Sequence, residues 1–113
     1  MSEDPWQLFE ISKLTAKLAG GRPEYREFLR APSLSCGIYH LPRGARDMQS
    51  AHDEDEVYFV ISGKAIMKVG GEDRSVEAGT ILYVRATEEH SFFEIEEDMT
   101  LLVFFAASTP GDI

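Results

Sequence analysis

The chain has little sulfur chemistry to offer. It holds one cysteine, Cys36, among 113 residues. A single thiol closes no intrachain disulfide and supplies no CxxC pair for a structural zinc. The expectation is a buried, reduced thiol in a cytoplasmic protein. Histidine is almost as scarce, with His40, His52 and His90 as the full set. Basic residues are few: 11 Lys and Arg face 20 Asp and Glu, for a formal net charge of −9. That balance argues against nucleic acid and anionic membrane as partners, since both are held through Lys and Arg. No apolar run approaches the roughly 20 residues of a membrane-spanning helix; the longest is Leu101 to Ala107. The opening "MSEDPWQLFE" has no basic stretch followed by an apolar one, so no secretory signal is expected.

What is present describes one globular domain, with 43% hydrophobic and 27% charged residues. Near the start, Asp4 can cap a helix, Pro5 suits its first position, and Ile11, Leu14 and Leu18 recur at helical spacing up to Gly20-Gly21. A rival reading makes "LFEI" a short strand and Ser12 the cap of a shorter helix. After Pro23, short apolar stretches alternate with turn residues about every ten residues: "EYREFL", "SLSCGIYHL", "EVYFVI", "KAIMKV", "RSVE", "TILYVR", "HSFFEI" and "TLLVFFA". Each is expected to be a separate strand, with Ser62-Gly63 stopping "EVYFVI". "GKAIMKVGGEDRSVEAG" reads as a hairpin with a primed turn at Gly70-Gly71. No helical stretch separates the later strands, so the expected architecture is an all-β antiparallel sandwich or barrel with a short N-terminal helical segment. Residues 1–30 are read as an extension, 31–108 as the barrel and 109–113 as a tail.

Chemistry concentrates in "SAHDEDEVYFVISGKA", residues 50–65. Glu56 lies four residues after His52, and an extended chain points both the same way. Asp53 and Asp55 read as solvated acids of the bend between them. His90 opens "HSFFEI", which sheet pairing can bring opposite. Two imidazoles and a carboxylate on one face are donors for a divalent transition metal with open coordination positions. The set does not choose among Fe, Mn, Ni, Cu and Zn. Tyr58 shares parity with Glu56, and Phe92 with His90, so both are candidate pocket-lining residues. Ser50 and His40 complete that group. Phe104 and Phe105 face opposite ways, so one of them should point inward. Arg85 is either a contact for an acidic substrate or a partner for one of the many carboxylates.

The order of these residues resembles the cupin family. From Gly44, five residues lead to Ser50-Ala51-His52, three more to Glu56 and six more to Gly63. This is the spacing of the first cupin motif, Gly-x5-His-x-His-x3–4-Glu-x6-Gly, with Ser50 in place of its first His. From Gly79, five residues lead to Arg85-Ala86-Thr87, two more to His90 and three more to Glu94. This is the spacing of the second motif, Gly-x5-Pro-x-Gly-x2-His-x3-Asn, with Arg85, Thr87 and Glu94 in place of Pro, Gly and Asn.

The resemblance spans about Leu34 to Phe105 and implies an antiparallel double-stranded β-helix, or jelly-roll barrel. It implies His52, Glu56 and His90 as metal ligands. It cannot supply the first His. Gln49 turned inward by a bulge, a water molecule, or no metal at all are the three ways to accommodate Ser50. The functions implied are a metal-dependent enzyme acting on a small molecule, by dioxygenase, isomerase, epimerase or lyase chemistry, or a non-catalytic module binding a sugar-like or other small ligand. No residue stands out as a general acid or base, so the sequence leaves open whether the protein is an enzyme. Trp6, Leu8, Phe9, Ile11 and Leu14 need covering, and together with the resemblance they point to a homodimer.

Overall fold

The computed structural model describes residues 5–47 and 53–106. The elements run α1 (Ile11–Thr15), β1 (Glu24–Arg30), β2 (Leu34–Leu41), β3 (Glu56–Val69), β4 (Glu72–Glu77), β5 (Ile81–Val84) and β6 (His90–Ala106). The helix is short, as the rival reading had it, but its five residues are capped at Glu10 and not at Ser12, and "LFEI" forms no strand. The strands form one sheet in the order β1-β2-β6-β3-β4, with β5 paired to β3. Every pairing is antiparallel. β1, counted above with the extension, is hydrogen-bonded along β2 as an outer strand of this sheet.

Two expected strand breaks do not occur. "EVYFVI" and "KAIMKV" form one strand of 14 residues, and "HSFFEI" and "TLLVFFA" form one of 17. Ser62-Gly63 bends β3 without ending it. Gly63 has φ 100°, and a Cβ there would run into the Asp98 carbonyl and the Met99 backbone. Only glycine lets the two backbones cross this closely. The first half of β3 pairs with the second half of β6 and with β5, while its second half pairs with β4 and the start of β6. The bent strands thus wrap one sheet into two facing layers.

Side-chain parity records these bends. In β3 the buried residues are Glu56, Tyr58 and Val60 before Gly63, then Ala65 and Met67 after it. In β6 they switch from His90 and Phe92 to Ile95, Met99, Leu101 and Val103. The β6 switch falls at Glu94, which takes φ 47°. A residue in the left-handed region inserts a bulge and re-aims the strand. The inward side chains fill the core with Tyr39, Leu41, Tyr58, Val60, Met67 and Phe92. Phe105 packs against this cluster, while Phe104 stays exposed. The Gly70-Gly71 hairpin is as read, with Val69 opposite Glu72 and Gly70 at φ 60°.

Among the described residues, Thr87 (φ 68°) and Glu94 are the two non-glycine residues with positive φ. They stand at the positions where the second motif has Gly and Asn, the residues that tolerate this conformation best. The chain keeps the backbone and carries the strain. Thr87→Gly and Glu94→Asn should each stabilise the fold by up to about 1 kcal/mol in urea unfolding. A loss in both variants would show that the native side chains contribute more than their backbones cost.

Candidate functional site

Glu56 starts β3 in one layer and His90 starts β6 in the other, and their side chains meet in the interior. They are 2% and 6% exposed. His90 Nδ1 lies 2.9 Å from the Glu88 carbonyl oxygen, which can only accept, so Nδ1 carries the proton. Nε2 then faces Glu56 Oε1 at 2.8 Å and the Tyr58 hydroxyl at 3.0 Å. Despite the short approach, neither Glu56 oxygen receives an aligned hydrogen bond from a described residue. Two electron-pair donors in buried contact require something positive between them, either a second proton on the imidazole or a metal ion. Burial, the largest single influence, pulls the His90 pKa down. The Glu56 carboxylate and the Glu88 carbonyl, with Asp47 further off, outweigh it and raise the pKa above the ordinary histidine value.

Tyr58 and Phe92 are where parity put them, fully buried and ring-to-ring at 5.2 Å, with Tyr58 also edge-on to His90. His52, Gln49 and Ser50 lie outside the described residues. His40 does not join the pair. Its neighbours Tyr39 and Leu41 point into the core, so His40 faces the other side of β2, where Nδ1 meets Thr100 Oγ1 at 3.3 Å. Arg85 is paired with Glu88 at 2.6 Å. Among the described residues, no cluster of three or more His, Cys, Asp or Glu side chains gathers.

Sequence reading missed the supports of this pair. Asp47 bridges the two layers: Oδ1 accepts from the Tyr39 hydroxyl at 2.7 Å and Oδ2 from the Phe92 backbone N–H at 2.9 Å. Asp55, read above as a solvated acid, ties the two motifs together. Its carboxylate accepts from the Ala86 N–H at 2.8 Å, and its carbonyl from the Ala106 N–H at 3.0 Å. A lone acid in a turn carries no spacing signature that would mark either role. The segment holding Asp47 also runs beside β6, with Gly44 N–H donating to the Ile95 carbonyl. The two border a cleft of about 380 Å³ on the barrel's flank.

Burial and the Asp47 contact push the Tyr39 phenol above its ordinary pKa, and burial raises Tyr25 to about 12. An unfolded phenol ionises near pH 10. Stability is therefore fully present below about pH 10 and falls as pH rises towards the folded values, because only the unfolded state releases its protons in that window. Urea midpoints measured from about pH 8 to 12 should fall over the upper half of that range. Asp47→Ala should cost about 2 kcal/mol at neutral pH. A midpoint flat to pH 12 would contradict the burial of these phenols.

Comparison with known proteins agrees with this fold. A family model described as "Cupin domain" matches residues 37–105. An uncharacterized protein of Streptomyces coelicolor, SCO3923, is 42% identical over 98 residues, covering 87% of this chain and 93% of the other. Among solved structures, the TT1209 protein from Thermus thermophilus superposes with a TM-score of 0.77 at 20% identity, over 89% of this chain and 97% of the other. DMSP lyase DddQ from Ruegeria pomeroyi does so with a TM-score of 0.72 at 17% identity, over 83% of this chain and 53% of the other.

Proposed function

The chain belongs to the cupin family, and from that premise we propose that it is a small metal-dependent cupin acting on a small molecule. The observation that carries the reading is the buried Glu56 carboxylate, without an aligned donor among the described residues, set against His90 Nε2. The donor chemistry fits a divalent transition ion: one oxygen donor and one imidazole nitrogen close enough to touch the same ion. Glu56 and His90 would hold it, with His52 as the third ligand and Gln49 as a candidate fourth. A bound ion would polarise a carbonyl or other oxygen of the substrate.

The chain's own residues prepare that site. Glu88 fixes the His90 tautomer and ring plane, which is how outer partners commonly hold a ligating imidazole. Tyr58 and Phe92 wall the interior and keep water away from the pair. Lyase chemistry is named for one structural neighbour, DddQ, and at that distance the likeness carries the fold alone. The alternative is a non-catalytic module for a sugar-like ligand, favoured by Ser50 in place of a third imidazole. A cytoplasmic location accords with the buried free thiol of Cys36. No helix among the described residues is long and apolar enough to cross a membrane.

Protein purified without a chelating tag is expected to carry near-stoichiometric Fe, Mn, Ni, Cu or Zn, measured by plasma mass spectrometry. His90→Ala and His52→Ala should each remove it. A chain that stays metal-free after incubation with every one of these ions would end the metal reading. Turnover by the loaded protein, read as oxygen uptake or product formation on a panel of small carbonyl compounds, then separates enzyme from binding module.

The protein is also read as a homodimer. Leu14 is buried and Phe9 packs edge-on against Phe28, but Trp6 is 73% and Leu8 69% exposed and Ile11 partly so, which leaves the outer part of the arm uncovered by its own barrel. A second subunit would bury it in a two-fold interface. Light scattering at micromolar concentration should give twice the 12.7 kDa chain mass; a monomeric mass would refute the dimer.

A further inference from the structure

Tyr25 lies on β1 and belongs to neither motif. Its ring crosses over Gly37 so closely that a Cβ on Gly37 would overlap the end of the phenol. The absent side chain opens a slot, and the ring uses it to lean inward. There it meets Tyr39 and Phe105 edge-on, at centroid distances of 6.2 and 6.3 Å. Phe105 is the residue paired with Glu56 across β3 and β6. Burial above all, and then the charges of Glu27, Cys36 and Glu56, hold the phenol protonated. Tyr25 is 42% exposed, so one side of the group faces solvent while the other packs on Tyr39 and Phe105. Among the described residues, no group accepts a hydrogen bond from its hydroxyl. A neutral donor thus lies against the residue paired with Glu56, with no acceptor among the described residues.

We propose that Tyr25 is a ligand-contacting residue of this site, donating a hydrogen bond to an oxygen of a small, oxygen-bearing molecule whose other oxygens face Glu56 and His90. This rests on the metal reading above. The slot at Gly37 is what makes the contact possible: it lets the phenol of an outer strand lean inward. A neutral donor suits an uncharged or weakly anionic ligand, consistent with a chain of net charge −9 that repels strong anions.

The test uses the full chain loaded with Ni and acetohydroxamic acid as probe, a small weak acid, uncharged near neutral pH, that releases one proton to the buffer when its two adjacent oxygens chelate a metal. Metal content, thermal midpoint and probe affinity by calorimetry are measured on the same samples. Tyr25→Phe keeps the ring and removes the donor. It should leave metal content and thermal midpoint unchanged and weaken the probe about tenfold, the effect of one hydrogen bond to an acceptor polarised by charge. Gly37→Ala fills the slot and displaces only the ring end, so it should weaken the probe similarly. The double variant should be no weaker than either single one. Equal affinity of wild type and Tyr25→Phe, with both carrying metal, overturns the role of Tyr25 and leaves the metal reading intact. Wild type that takes up no metal overturns both, and metal-loaded wild type that ignores the probe overturns the ligand class.

Discussion

The fold turns on the close crossing of β3 over β6 at Gly63. The Asp98 carbonyl and the Met99 backbone occupy the space where any side chain on Gly63 would stand. Because the backbones touch there, both long strands bend at one corner and each serves two layers of the barrel. The first half of β3 carries Glu56 into one layer, and the first half of β6 carries His90 into the other. Without the corner these residues would lie far apart along one flat sheet. The site is therefore a product of the bend: two strand beginnings brought face to face by a contact made elsewhere in the barrel.

The second control is parity. A strand places alternate residues on opposite faces, so a single inserted residue reverses everything downstream. Glu94, held at φ 47°, performs that reversal in β6. It lets His90 and Phe92 point inward at the mouth while Ile95, Met99 and Leu101 fill the interior beyond. The second cupin motif is in part a backbone prescription, with residues tolerant of the left-handed region at fixed distances from the histidine. This chain satisfies the prescription with Thr87 and Glu94, two residues poorly suited to it. Motif spacing survives such exchanges because spacing sets where the strand turns over, whereas identity sets only what the turn costs.

Much of this is legible in the sequence. Alternation places Tyr58 and Phe92 inside, and the Gly-Gly hairpin lies where composition puts it. Motif spacing sets His90 and Glu56 as neighbours. The misreadings share a cause. Ser62-Gly63 looks like a stop because glycine marks both turns and close crossings, and only the partner backbone distinguishes the two. His40 looks like a mouth residue because one strand in isolation does not say which parity is inward. Asp47 and Asp55 each close a bond between distant segments, which a local pattern cannot encode. Tyr25 escapes notice because its placement depends on a missing side chain across the strand pair.

The bond between the Ala106 N–H and the Asp55 carbonyl has one more consequence. Together with the pairing of Glu56 and Phe105, it makes the final strand of the barrel the one that fixes the carboxylate's position. Contacts between residues some fifty positions apart form late, since a long loop must close before they can be rewarded. A nascent chain leaving the ribosome therefore has no pocket to offer until β6 has docked. An ion encountered earlier would meet isolated acids and histidines and no organised set of donors. On the metal reading proposed above, an ion would therefore load onto the finished barrel and would not shape the pairing of Glu56 with His90.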